Sequence, residues 1–338
     1  MKIVKYLTLL SILSLVFLMG CGPQIPDYKK RLEMAEGSAS ELEFYRYEEV
    51  LFNLDTSHFQ EALMEIQDQY EPFLAGDLSD PMAVRYLMDF ATDPLSVTLY
   101  QKVKQAFPDL SRVRDIVVEE YRHFNYYYPE VTLPNKVFTC VSGLDPYTPA
   151  VFFSEDGLVI SLDWYLDGDE VYDMMGMPQY RSQRTGLPTL AKDLGAALCE
   201  YINRDVRRQG NLLEEMVHVG IDDFFVEAMC PSISDEALLG YSPSQLQWAE
   251  DFEGDLWADM VGNQYLYSSD LEVYRVFLAD GPFTNEYSHE APARLGEFIG
   301  LRIVRSYMES HPEATLPELM VENDLQGIFQ DSKYKPRK

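Results

Sequence analysis

The hydrophobic period of this chain changes twice, and that double change constrains the fold more than any other feature. Up to Tyr127 apolar residues recur at helical spacing, as in Phe59, Leu63, Ile66 and Tyr70, and again in Leu95, Leu99, Val103 and Phe107. Between Lys136 and Leu162 the pattern shortens to runs of β-formers: Lys136 to Val141, Ala150 to Phe153 and Leu158 to Leu162. The last two runs flank Ser154-Glu155-Asp156-Gly157, and an Asp-Gly between apolar runs signals a hairpin. From Leu190 onward the helical period returns. The expected fold is mainly helical α+β, with a small three-stranded sheet inserted between two helical halves.

Start and stop signals set expected boundaries. Ser40-Glu41-Leu42-Glu43 reads as a capping box that opens a helix to about Leu54, and a second helix is expected from Thr56 to Phe73. Asp93-Pro94 is a cap followed by a first-turn proline. Further helices are expected over Leu110 to Tyr127, Leu190 to Arg207, Leu212 to Met229 and Arg294 to Ser310. Ser242-Pro243-Ser244-Gln245 caps another that runs to Val261, and Thr315-Leu316-Pro317-Glu318 caps a short final one. No repeat and no long linker divides residues 41–338, which read as one domain.

The first twenty residues are of another kind. Lys2 and Lys5 precede an apolar run from Tyr6 to Met19, short for a membrane span and suited to a signal peptide. Leu18-Met19-Gly20-Cys21 is similar to the lipobox of bacterial lipoproteins, in which the cysteine becomes the acylated N-terminus. Residues 1–20 are therefore expected to be removed, with fatty acyl chains such as palmitate on Cys21 holding the rest to a membrane. Residues 21–40, with Pro23, Pro26, Gly37 and Ser38, read as a flexible tether. Its Lys29-Lys30-Arg31 cluster could touch anionic lipid, although solvated charge is the ordinary outcome.

Charge narrows the partners. The chain has 27 Lys+Arg and 56 Asp+Glu, a net charge of −29. Loss of Lys2 and Lys5 leaves 25 − 56 = −31. Nucleic acid is not an expected partner of so acidic a protein, because phosphate contacts need a basic surface. Cys140, Cys199 and Cys230 are far apart and form no C-x-x-C, so they are expected to be buried apolar residues.

Several phrases, in order, resemble the gliding-motility lipoprotein GldB family of Bacteroidetes. They include Arg46-Tyr47, Tyr126-Tyr127-Tyr128-Pro129, Ser161-Leu162-Asp163-Trp164-Tyr165-Leu166 and Pro178-Gln179-Tyr180. Asn211 to Val217, Gly240 to Trp248, Pro282-Phe283, Arg294-Leu295-Gly296, Ile303 to Met308 and Ser332 to Pro336 continue the series. The resemblance implies a cell-envelope lipoprotein with an accessory or scaffold role, partnered by motility or type IX secretion proteins. Surface-exposed lipoproteins of that group carry acidic residues directly after the cysteine. Here Gly22-Pro23-Gln24-Ile25-Pro26 are uncharged, which implies an outer-membrane protein facing the periplasm.

A small sheet followed by two helices also resembles the layout of gluzincin-type zinc peptidases. Those carry H-E-x-x-H on the first helix, two histidines on one face with a glutamate base. Leu190 to Glu200 contains no histidine, and Val219-Gly220 stands where the next helix would carry Glu-Gly. The layout is thus a degenerate one, and neither enzymatic activity nor a cofactor is expected. An envelope hydrolase with an unrecognised site is the alternative. Glu214, His218 and Asp222 share one helix face and could in principle bind a cation. However, the outer two stand roughly 11 Å apart at about 5.4 Å per turn, too far for one zinc. Glu120-x-x-His123 and Glu215-x-x-His218 match the pairs of di-iron bundles, but the expected strands between them argue against such a bundle.

Overall fold

The computed structural model describes residues 27–33, 41–202 and 210–336, so Cys21 and its lipobox lie outside the described residues. The chain opens with α1 (Asp27–Glu33), β1 (Glu43–Arg46) and α2 (Tyr47–Leu51). Then come α3 (Phe59–Ile66), α4 (Glu71–Leu74), α5 (Pro81–Thr92), α6 (Pro94–Ala106) and α7 (Ser111–Tyr127). Strands β2 (Lys136–Cys140), β3 (Val151–Phe153) and β4 (Leu158–Ser161) follow. The second helical half holds α8 (Val171–Met174), α9 (Gln179–Ser182), α10 (Leu187–Ile202), α11 (Leu212–Met229) and α12 (Asp235–Leu239). It ends with α13 (Pro243–Asp251), α14 (Glu253–Gly262), α15 (Leu271–Leu278), α16 (Leu295–Ser310), α17 (Leu316–Val321) and α18 (Leu325–Ser332).

The sheet has four strands, not three, in the order β1-β2-β4-β3. The hairpin is antiparallel as expected, with Phe152 opposite Val159. The added strand lies where the Ser40 capping box predicted a helix. Glu43 to Arg46 instead pair in parallel with Lys136 to Thr139, and Tyr45 stacks on Phe138 with ring centroids 5.2 Å apart. Pairing across about ninety residues of sequence overrides the local signal, as β-formers such as Phe44 and Tyr45 allow. Both faces of the sheet are covered. Val137, Leu158 and Ile160 turn into the main core, whereas Phe138, Cys140 and Val159 pack on a second core under α2 to α5. A mostly parallel sheet buried on both faces is the expected consequence of helices before and after it.

Other boundaries shift for local reasons. The expected helix from Thr56 to Phe73 breaks after Ile66 and resumes at α4, whose second residue is Pro72. The helix from Ser242 breaks at Phe252, and the one after Thr315 is followed by another, α18. Asp93 caps α6 as read, accepting from the Leu95 and Ser96 amides.

The tether expectation also needs correcting. Residues 27–33 form α1, which packs against α16 with Tyr28 and Leu32 buried. The basic cluster is the reason. Lys29 reaches the buried carboxylate of Glu227 at 3.1 Å. The Arg31 guanidinium donates to the carbonyls of Met308 (2.9 Å) and Pro312 (2.7 Å), satisfying the orphan end of α16. Beneath α1, α11 and α16 form the centre of the helical half. Gly220 and Gly300 meet there. A Cβ on Gly300 would come within 1.8 Å of the Met216 carbonyl oxygen, so only glycine permits this approach.

Candidate functional site

A cleft of about 750 Å³ opens between the edge strand β3 and helices α10 and α11. Phe152 and Phe153 form its sheet wall, and β3 has no ladder partner on its outer side among the described residues. Ala196 and Ala197 keep the α10 wall open, and Lys192 and Glu200 project from the same helix. α11 contributes His218, Asp222, Asp223 and Val226.

The floor is ionic. Lys192 lies 3.3 Å from Glu297, and Arg294 holds both oxygens of Glu297 at 2.9 and 2.8 Å. Arg294 reaches Glu297 because it sits at φ +58, turning its side chain back over the start of α16. Asp280 receives Arg184 at 2.7 Å on the far side. Asp223 is buried beside this network, and its Oδ2 has no hydrogen-bond partner. Burial, reinforced by the charge of Glu297, drives the Asp223 carboxyl well above the usual range, with Lys192 and Arg294 opposing. Burial thus favours its protonated form at the wall of the cleft.

The three candidate cation ligands separate. Glu214 closes the capping box of α11, accepting from the Asn211 amide at 3.1 Å, and takes a bond from Gln326 at 2.6 Å. It does not line the cleft. His218 and Asp222 do, 3.7 Å apart. Among the described residues no three His, Cys, Asp or Glu side chains are grouped to hold a metal ion. The two E-x-x-H pairs are likewise apart: His123 bonds the Glu119 carbonyl and lines another concavity, while Glu120 is fully buried with neither oxygen hydrogen-bonded.

Sequence reading missed the contact of Cys199 with this face. Its thiol donates to Asp222 Oδ1 at 3.4 Å, while the other Asp222 oxygen faces His218. The order is thus thiol, carboxylate, imidazole. A thiol nucleophile needs the imidazole beside sulfur to take its proton, and a carboxylate there opposes thiolate formation. Nothing in the spacing of Cys199 and Asp222 announces this meeting, which α10 and α11 make only by packing together. Cys140, Cys199 and Cys230 are all buried.

Fold and site define a mainly helical α+β protein with a polar cleft at a sheet edge, in which Asp222 lies between Cys199 and His218. The family model described as gliding motility protein GldB matches residues 28–336, and the chain belongs to that family. The match begins inside α1, so that helix is part of the family's domain. No curated protein and no solved structure gives a significant match to the chain.

Proposed function

We propose that this chain is a lipid-anchored accessory protein of the bacterial envelope, associated with gliding motility, that binds a partner at the β3 cleft without catalysis. The family membership supports the motility association. Anchoring rests on Leu18-Met19-Gly20-Cys21. No helix among the described residues is long and apolar enough to cross a membrane. The chain would sit on the outer membrane and face the periplasm, given the uncharged residues after Cys21.

One observation carries the binding reading: Asp222 lies between Cys199 and His218. The cleft also suits an extended partner segment that presents a lysine or arginine. The free edge of β3 offers main-chain hydrogen bonds, and among the described residues Glu200 and Asp222 line the helical wall while Lys192 is paired with Glu297. The test is alkylation of Cys199 by iodoacetamide between pH 6 and 9, followed by peptide mass spectrometry. The expected rate at pH 7 is below that of glutathione. A rate tenfold above glutathione, dependent on His218, would instead establish an activated nucleophile and the hydrolase alternative.

A further inference from the structure

We infer that the face formed by α1 and residues 333–336 lies against the bilayer and binds anionic phospholipid headgroups. The inference rests on the proposed anchoring at Cys21 and adds an orientation and a lipid contact to it.

Chain length supplies the first part. Were residues 22–40 all free, the anchor could reach roughly 70 Å from the domain at about 3.5 Å per residue. α1 removes most of that reach. Tyr28 and Leu32 are buried, Lys29 is tied to Glu227, and Arg31 is bonded to the end of α16. Only residues 22–26 separate Cys21 from Asp27, so the start of α1 stays within roughly 20 Å of the acylated residue in any conformation. The surface beside α1 is therefore the surface nearest the membrane.

Charge supplies the second part. Beside α1 lies a concavity of about 750 Å³. Lys29, Arg302, Arg305, Lys333 and Lys335 line it, against Asp235, Glu253 and Glu309. Glu227, paired with both Lys29 and Arg305, brings the balance to five cations against four carboxylates, still an excess in a chain of net charge −29. Two of the three lining carboxylates are already engaged, Asp235 by both Arg305 nitrogens at 2.8 and 2.7 Å and Glu253 by Arg302 at 3.0 Å. Lys333 and Lys335 are exposed and form no ion pair among the described residues. Salt screens charges beyond about 10 Å, so a bilayer senses the face it touches rather than the net charge. Acidic surface elsewhere is repelled, and this face presents Lys333 and Lys335 to lipid phosphates.

The test uses the full-length chain, purified with its lipid and reconstituted in phosphatidylethanolamine vesicles with or without phosphatidylglycerol. A trace lipid bears a photoreactive headgroup, and adducts are mapped by mass spectrometry alongside the intact mass. The expected adducts fall in residues 27–33 and 333–336 and increase with phosphatidylglycerol. Lys333→Glu with Lys335→Glu should cut them roughly tenfold, at about fivefold or less per lysine, while the protein stays vesicle-bound. Adducts at Tyr86 or Tyr147 equal to those on α1, or indifference to the double substitution, would overturn the orientation alone. An intact mass with no acyl group, and protein free in solution, would overturn the anchoring and the orientation together.

Discussion

Glu120 shows how a single residue can be costly and still tolerated. It is fully buried on α7 with both oxygens unbonded, and burial, followed by the charges of Glu119 and Asp193, raises its carboxyl well above the usual range. A carboxyl raised on folding contributes its stability in full below the unfolded value near 4.3, and loses it as pH climbs toward the folded value. Glu120→Gln should therefore melt higher than the parent at pH 8, with the advantage shrinking toward pH 4.5. Calorimetry that shows a pH-independent difference would refute this. Arg305 has the opposite role. It bonds the buried Glu227 at 2.9 Å and both oxygens of Asp235, and Arg305→Met would strand Asp235 and leave Glu227 with Lys29. The expected loss is about 3–5 kcal/mol in urea unfolding, and a loss under about 1 kcal/mol would mean that water or Lys29 replaces it.

Among the elements, legibility followed locality. α11 was readable to the residue, Leu212 to Met229, because its apolar face and its boundaries are written within the segment. β1 was not, because its reason for being a strand is Lys136 to Thr139, far along the chain, while the nearby Ser40 and Glu43 argue for a helix. Asp80-Pro81 opens α5 with the same cap signal as Asp93-Pro94. α1 was hidden for another reason: three adjacent basic residues look solvated until Glu227 and the carbonyls at the end of α16 are seen to face them. The α11–α16 pair yields a sharp prediction. Gly300→Ala must push the helices apart at the Met216 carbonyl and should cost about 3 kcal/mol or prevent folding. Gly262→Ala meets nothing within 4 Å and should be neutral or stabilising by about 0.5–1 kcal/mol. Equal effects in thermal unfolding would show that packing at Gly300 is looser than described.

For the whole molecule, the sequence disclosed half of the candidate site. His218 and Asp222 were placed on one face from their spacing, and Glu214 was grouped with them because a helical wheel does not show that it caps its own helix. Cys199, Lys192 and the edge of β3 come to the cleft only through tertiary packing. On the proposed reading that assembly is a binding surface, and one comparison in cells tests it. A strain lacking the chain would be complemented with Cys199→Ser plus His218→Ala, or with Asp222→Arg, and its surface spreading and envelope defects scored at matched protein level. Binding without catalysis predicts full rescue by the first and failure of the second, whose added cation opposes the cationic side chain expected in the cleft. Loss of rescue by the first, with rescue retained by the second, would contradict the account and assign the cleft a catalytic role.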